Sequence, residues 1–277
     1  MCSGSSNARV LLTLSFVAAV TAACLPALTR AEEIRIGGTG NALGTMRLLG
    51  SAYAKLHPDS RPIILDSIGT SGAIKAVPTG AIEIGLSSRP LKDEEAARGI
   101  VTVEYARSPT VFAVQAKSGA KSITLAEIAD IYAGRMTSWP DGTRIRPIMR
   151  QPGDDNTRQV KTLSAEIEEA LAAAEKREGL IYASNDQEAA DKMESIPGSI
   201  GVTTIALIRS ENRKLQALAI DGTEPTLENM RSGRYPMLKQ FYFLLGKQYS
   251  PKVRRFLDFV KSPQGRKILE QNGNVVP

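Results

Sequence analysis

The residues able to do chemistry in this 277-residue chain are gathered in short turns rather than in a catalytic motif. Three runs rich in Gly, Ser, Thr and Asn, "GGTGNALG" (37–44), "IGTSGAIK" (68–75) and "RQPGDDNTRQ" (150–159), each follow a strand pattern and precede a helical one. A helix N-terminus presents unpaired N–H groups and the positive end of the dipole. Glycine lets the backbone approach closely and hydroxyls add donors, so the combination suits an oxyanion. Asn41, Ser71 and Asn156 are equally the residue types that simply cap helices. In "GLSSRP" (85–90), Arg89 stands at the mouth of a strand, where it could fork onto an anion or pair with Asp93 or Glu94. Arg150 ends a strand just before the third turn, with Asp154 and Asp155 close enough to neutralise it.

The residue types that are scarce narrow the chemistry further. There is one histidine, His57, at a helix end before Pro58, and there are two cysteines, Cys2 and Cys24. That leaves no expected metal site, cofactor or histidine-dependent nucleophile, and Ser87 and Ser88 have no evident base. "GTGNALG" is one residue longer than a dinucleotide fingerprint. With 42% hydrophobic and 23% charged residues, the composition is that of an ordinary globular protein. No basic block is interleaved with aromatics, so no nucleic-acid role is expected.

The N-terminus reads as an address. Arg9 precedes the apolar run "VLLTLSFVAAVTAACLPAL", and "TRA" places Thr29 and Ala31 at the small-residue positions of a cleavage site. Residues 1–31 are therefore expected to be a signal peptide cut after Ala31. "TAAC" ending at Cys24 invites a lipoprotein anchor, but Thr21 stands where a branched apolar residue is usual. Cleavage would remove both cysteines together with Arg9 and Arg30, lowering the formal charge of +6 by two. The remaining positive bias is mild and favours anions. A mature chain of this size can hold itself together by its core alone.

The elements that must position the turns alternate. "EIRIGG" is a strand, and Leu43, Met46, Leu49, Tyr53 and Leu56 mark one face of the helix after it. "RPIIL" and "AIEIGLSS" are strands, and "VTVEYARSPTVFAVQ" holds one or two more. This β-α-β order predicts an α/β fold with a parallel sheet. In the second half, Thr124 and Glu127 have capping-box spacing and Gly134 is a stop. "RIRPIMR" is a strand, and a long helix from Thr157 carries Val160, Leu163, Ile167 and Leu171. "GSIGVTTIALI", "LQALAID" and "PMLKQFYFLLG" are strands, and two helices close the chain, the last starting at Ser262-Pro263. Trp139 reads as a loop aromatic covering a core edge.

Taken together, "GGTGNALGTMRLLGSAYAKLHP" and "IGTSGAIKAVPTGAIEIGLSSRPLKDEE" resemble the N-terminal lobe of the phosphate-binding proteins of bacterial ABC transporters. "LAEIADIYAGRMTSW", "IPGSIGV", "LAIDGTEPTLENMRSGRYPM" and "FLDFVKSPQGRKILEQNG" are similar to later stretches of that family in the same order, so the resemblance spans nearly all of 32–277. It implies a type II periplasmic binding fold: two α/β lobes, each a mostly parallel sheet flanked by helices, with the ligand in the cleft between them. Lobe one would comprise 32–116 plus 237–277, and lobe two 117–236. By motif, the resemblance places Thr39, Gly40, Thr70, Ser71, Ser88 and Arg89 at the ligand from lobe one, and Arg150, Asp155, Asn156 and Thr157 from lobe two. It implies a monomer that is no enzyme, that captures an oxyanion, above all phosphate, and that delivers it to the permease of an ABC importer. A periplasmic sensing partner of a membrane receptor would use the same cleft. A secreted phosphoesterase would need a metal cluster or an activated nucleophile. This sequence departs from the family pattern at "SSR", where many members place an aspartate, and at "RQPGDDNTR", where Asp154 and Asp155 replace small donors. Those two carboxylates either accept a proton carried by the ligand or cap the following helix from solvent.

Overall fold

The computed structural model describes residues 1–2 and 31–277. The charged start, apolar run and Cys24 of the expected leader lie outside the described residues. Among the described residues, no helix is long and apolar enough to cross a membrane.

Strand β1 (Glu32–Gly38) alternates, with Ile34 and Ile36 buried and Glu33 and Arg35 outward. Helix α1 (Gly40–Leu56) buries Leu43, Met46, Leu49 and Tyr53 completely on one stripe. Leu56, on the same stripe by spacing, is 54% exposed because the helix ends there. Then come β2 (Ser60–Ile64), α2 (Gly69–Ala76), β3 (Ile84–Ser87) and the short α3 (Asp93–Ala96). β1 lies between β2 and β3, parallel to both. The next apolar stretch is one strand, β4 (Ile100–Gln115), 16 residues long.

The second half continues with β5 (Ser122–Ile123), α4 (Leu125–Ala133), β6 (Arg146–Met149), α5 (Asp155–Lys161), α6 (Ala165–Ala174), β7 (Ile181–Tyr182), α7 (Asp186–Ser195), β8 (Ser199–Thr204), α8 (Ile205–Ser210), β9 (Leu215–Ala217), β10 (Ala219–Ile220) and α9 (Leu227–Arg231). The chain returns through β11 (Leu238–Gly246) and ends in α10 (Pro251–Lys261) and α11 (Pro263–Gln271). The Thr124–Glu127 capping box forms as expected, with Gly134 left-handed after α4. Ser262 caps α11 through the Gly265 N–H at 3.2 Å.

Two local expectations are corrected. The long helix from Thr157 is two helices, because Ser164 Oγ accepts the Ile167 N–H at 3.2 Å and starts a new one. The strand expected through Ile208 stops at Thr204, whose hydroxyl accepts the Leu207 N–H at 3.1 Å and opens α8.

The main sheet runs β2-β1-β3-β11-β4-β8-β6-β7, with β9 on β4. Its two flanks are parallel and its centre is antiparallel, because β11 pairs against β3 and β4, and β4 against β8 and β9. β4 pairs with β11 through Pro109 and with β8 from Thr110 onward. The apolar core divides at the same place. Tyr105 and Ala106 join β1, α1, β3, β11 and α10 in a first core, with a smaller cluster of Ala73, Ile74, Val77, Ile82, Ile100 and Leu244 beside it behind α2. Val111, Phe112 and Val114 join α4, α6, α7, β6 and β8 in a second. Trp139 belongs to the edge of the second core and donates its indole N–H to the Gly198 carbonyl at 3.1 Å.

Candidate functional site

A cavity of about 330 Å³ is walled by loops and helix starts from both cores. Thr39, Thr70, Ser71, Ser88 and Arg89 line it from the first half, and Arg150, Asp155 and Asn156 from the second, with Asn41 and Asp154 beside them. Two expected residues stand back from it. Gly40 lies under α7, where any side chain would overlap Asp186 and Gln187. Thr157 faces a small recess among Tyr132, Ile148 and Val160.

On the first side, β1 ends at Gly38, where a Cβ would collide with the Leu86 backbone. That close approach lets Thr39 donate its N–H to the Leu86 carbonyl at 2.9 Å and aims α1 at the end of β3. Neither Thr39 nor Ile68, the N-cap residues of α1 and α2, makes a side-chain cap, and neither first turn holds an acidic residue. The Thr70 and Ser88 hydroxyls are 3.2 Å apart, and the Ser88 N–H donates to Thr70 Oγ1 at 3.1 Å. Arg89 forks onto Glu95, 2.7 Å from each carboxylate oxygen, so its partner is neither Asp93 nor Glu94. The Arg89 guanidinium holds the Glu95 carboxyl down at about 2. Arg89 thus lines the cavity with both terminal amino groups committed to a carboxylate.

The second side carries the charge. Arg150, at the end of β6 and 8% exposed, donates to Asp186 Oδ1 at 2.6 Å and to Asp154 Oδ2 at 2.7 Å. Its Nε–H is buried without a partner among the described residues. Burial works against the Arg150 charge, yet Asp186 and Asp154 outweigh it and keep the guanidinium above its usual value. Asp154 caps α5 through the Asn156 N–H at 2.9 Å. Burial, reinforced by Asp186, pushes the Asp154 carboxyl up despite Arg150. Asp155 behaves oppositely. Burial raises it, but Lys239, the Ser88 hydroxyl and Arg158 together hold it below the usual carboxylate value. The alternative of solvent-facing caps is therefore half right: Asp154 is a cap, and both aspartates line the cavity.

Two residues escaped the sequence reading. Asp186, at the start of α7, accepts from Arg150, from Asn156 Nδ2 at 3.1 Å and, across the cavity, from the Asn41 backbone N–H at 3.0 Å. A cue was available in "SNDQE", where Asn185 and Glu188 have capping spacing, and Asn185 Oδ1 does accept the Glu188 N–H at 2.8 Å. Lys239, on β11, is fully buried and donates to Asn156 Oδ1 at 2.6 Å and Asp155 Oδ2 at 3.0 Å. Its cue was parity, since a strand's alternate residues share a face and Lys239 falls with Phe241 and Phe243.

Two α/β cores with a polar cavity walled by both make the fold of a ligand-capturing binding protein. The profile of the PBP superfamily domain matches residues 26–264, and the chain belongs to that family. It is 25% identical over 248 residues to the phosphate-binding protein PstS of Borreliella burgdorferi, covering 87% of this chain and 88% of that one. It is 24% identical over 257 residues to the protein of that name in Bacillus subtilis, with coverages of 87% and 83%. A candidate phosphate ABC-transporter substrate-binding protein from Clostridium perfringens, solved with phosphate bound, superposes with a TM-score of 0.75 at 23% identity over 89% of this chain and all of its own.

Proposed function

We propose that this chain is an exported solute-binding protein that captures phosphate and delivers it to an ABC importer. The observation that carries the reading is the convergence of the N-termini of α1 and α2, neither capped by its own N-cap side chain and only the first reached by a carboxylate, with Arg150 on one cavity. The relatives named phosphate-binding proteins support the choice of anion, and the apolar leader supports export. Binding needs no bond-making. Neutral N–H and O–H donors from the first side and Arg150 from the second would share the ligand's oxygens. The lobes would meet where β4 leaves β11 for β8, at Pro109–Thr110 rather than at residue 116, because residues 111–114 and Met237 pack in the second core, and β4 and β11 would form the hinge. Closure over the ligand is the signal that a permease would recognise.

The carboxylates fit this reading through the ligand's own proton. An ionised carboxylate only accepts hydrogen bonds, so it tolerates hydrogen phosphate and repels a fully ionised anion. Asp186 accepts three donors, and both Asp154 oxygens are taken. Asp155 has capacity to spare, since beyond Lys239 and the Ser88 hydroxyl it meets only Arg158, at 3.4 Å from Oδ1. Asp155 is thus the acceptor for the phosphate proton.

Calorimetry of the protein lacking its leader, titrated with phosphate, sulfate and molybdate, tests the reading. Phosphate should bind in preference to sulfate, and small-angle scattering should show a smaller radius of gyration at saturation. Heat from sulfate or molybdate alone would overturn the phosphate assignment.

A further inference from the structure

Lys239 is out of place by composition. Its neighbours on the inward face of β11 are Phe241 and Phe243, and it is as buried as they are. Burying an ammonium costs several kcal/mol before any partner is counted, so packing alone does not account for it. It lies opposite Ser108 of β4, one residue before β4 passes from the first core towards the second. From there it bonds the first two residues of α5, Asp155 and Asn156, both on the cavity wall. We infer that Lys239 sets the anion preference of this cleft by holding Asp155, from the crossing strand, as a charged acceptor at the ligand.

The inference rests on the phosphate reading above. Several groups face Asp155: Lys239 from β11, Arg158 on its own helix, Arg89 and the Ser88 hydroxyl from the segment after β3, and the neighbouring Asp154. Arg89 is committed to Glu95. Arg158 is 46% exposed and 3.4 Å away, so water screens it. Lys239 is the close, dry cation, and a charge in that position acts at low effective dielectric. Without it, Asp155 would be a half-buried carboxyl beside Asp154, and its affinity for a proton would rise. A protonated Asp155 donates a hydrogen bond, and a donor no longer discriminates against sulfate. Lys239 is therefore a positioning residue that acts through Asp155.

The test is calorimetric titration with phosphate and with sulfate between about pH 5 and pH 8, where a buried, unpaired carboxyl titrates. It uses the wild-type protein, Lys239→Arg, Lys239→Met and the charge-neutral double variant Lys239→Met with Asp155→Asn. Phosphate's own ionisation is common to all four, so the readout is the phosphate-to-sulfate affinity ratio of each variant against wild type. Lys239→Met should lower the ratio about tenfold or more, the equivalent of one pH unit, and most towards acid pH. Lys239→Arg should keep the wild-type ratio and profile, and the double variant should be indifferent to pH with a low ratio. If Lys239→Met fails to fold, Lys239→Gln, which keeps a polar group beside Asn156 without the charge, takes its place, and the double variant only marks the ratio of a site that has lost the Asp155 charge. A wild-type ratio and pH profile in the uncharged Lys239 variant, with only the melting temperature changed, would show that Lys239 merely stabilises the fold. A wild-type protein that binds no phosphate would instead remove the reading on which the inference stands.

Discussion

The two walls of the cavity are built on opposite principles. The first wall, from α1 and α2, supplies no acid from its own helix starts: neither N-cap side chain caps, and the carboxylate on the Asn41 N–H comes from Asp186 of the other wall. The second wall, from α5 and α7, begins its helices with Asp154, Asp155, Asn185 and Asp186 and answers them with Arg150, Lys239 and Arg158. One side offers hydrogen-bond donors that any oxyanion can use. The other is an ion network in which three cations face three carboxylates, so it gains little from a bare negative charge and much from a correctly protonated one. On the proposed reading, affinity would come from the first wall together with Arg150, and discrimination from the rest of the second.

The sharpest way to break that division is Arg150→Ala. It leaves Asp154 and Asp186 buried without their common cation, and breaking such a pair costs about 3 kcal/mol or more of stability. Phosphate binding should weaken by about 2 kcal/mol or more as well. Urea unfolding and calorimetry measure the two, and a variant of unchanged stability and affinity would mean that Arg150 serves neither. Next in size are the single aspartate variants. Asp155→Asn should lower the phosphate-to-sulfate ratio about tenfold, since the amide can donate to sulfate. Asp154→Asn should spare the ratio, and because asparagine caps as well as aspartate, its cost should come from the lost Arg150 pair. Equal effects of the two on the ratio would erase the distinction between them.

The neutral wall should respond more weakly and without selectivity. Thr70→Val removes the hydroxyl paired with Ser88, a change of about 1 kcal/mol, and should reduce phosphate and sulfate affinity alike. A change in their ratio would move discrimination to the first wall. The smallest effect concerns Glu95. Its carboxyl lies at about 2, below the usual 4.5, because Arg89 holds its charged form. The pair therefore contributes stability above about pH 4.5 that is lost as the pH falls towards 2. Glu95→Gln should flatten that acid limb in thermal melts and, by freeing the Arg89 guanidinium on the cavity wall, tighten phosphate and sulfate binding slightly and alike at neutral pH.

The first wall was legible in the sequence and the second only partly. "GGTG" and "GTSG" announce themselves because a turn that needs close backbone approach and donors leaves Gly, Ser and Thr in a row, and Thr39, Thr70, Ser71 and Ser88 all reach the cavity. Arg89 showed its charge but not its partner. Glu95 lies six residues on, brought back by a chain turn that local spacing does not reveal. Asp186 and Lys239 come from elements 36 and 84 residues distant from Arg150 and Asp155 respectively. Contacts at that separation are fixed by tertiary packing, which leaves only indirect marks such as strand parity. The merging of α5 and α6 into one expected helix has a similar cause, because Val160, Ile167 and Leu171 keep helical spacing across the break at Ser164 and still share one core.

The place of β11 has a consequence for how the chain reaches this state. The strand occupies the middle of the sheet, between β3 and β4, although it is the last strand to be synthesised. Until Leu238–Gly246 arrives, β3 and the first half of β4 present unpaired edges, and Tyr105 lacks the rings of Phe241 and Phe243 on which it stacks. The second core draws nearly all its parts from one continuous stretch and has no such dependence. Assembly is therefore ordered, with the later half of the chain able to consolidate first and the earlier half waiting on the C-terminus. Closing the first core means joining residues more than a hundred positions apart, which is slow on entropic grounds. A chain truncated before Leu238 would keep its second core and leave its first open, exposing the apolar faces of β1, β3 and α1 to solvent.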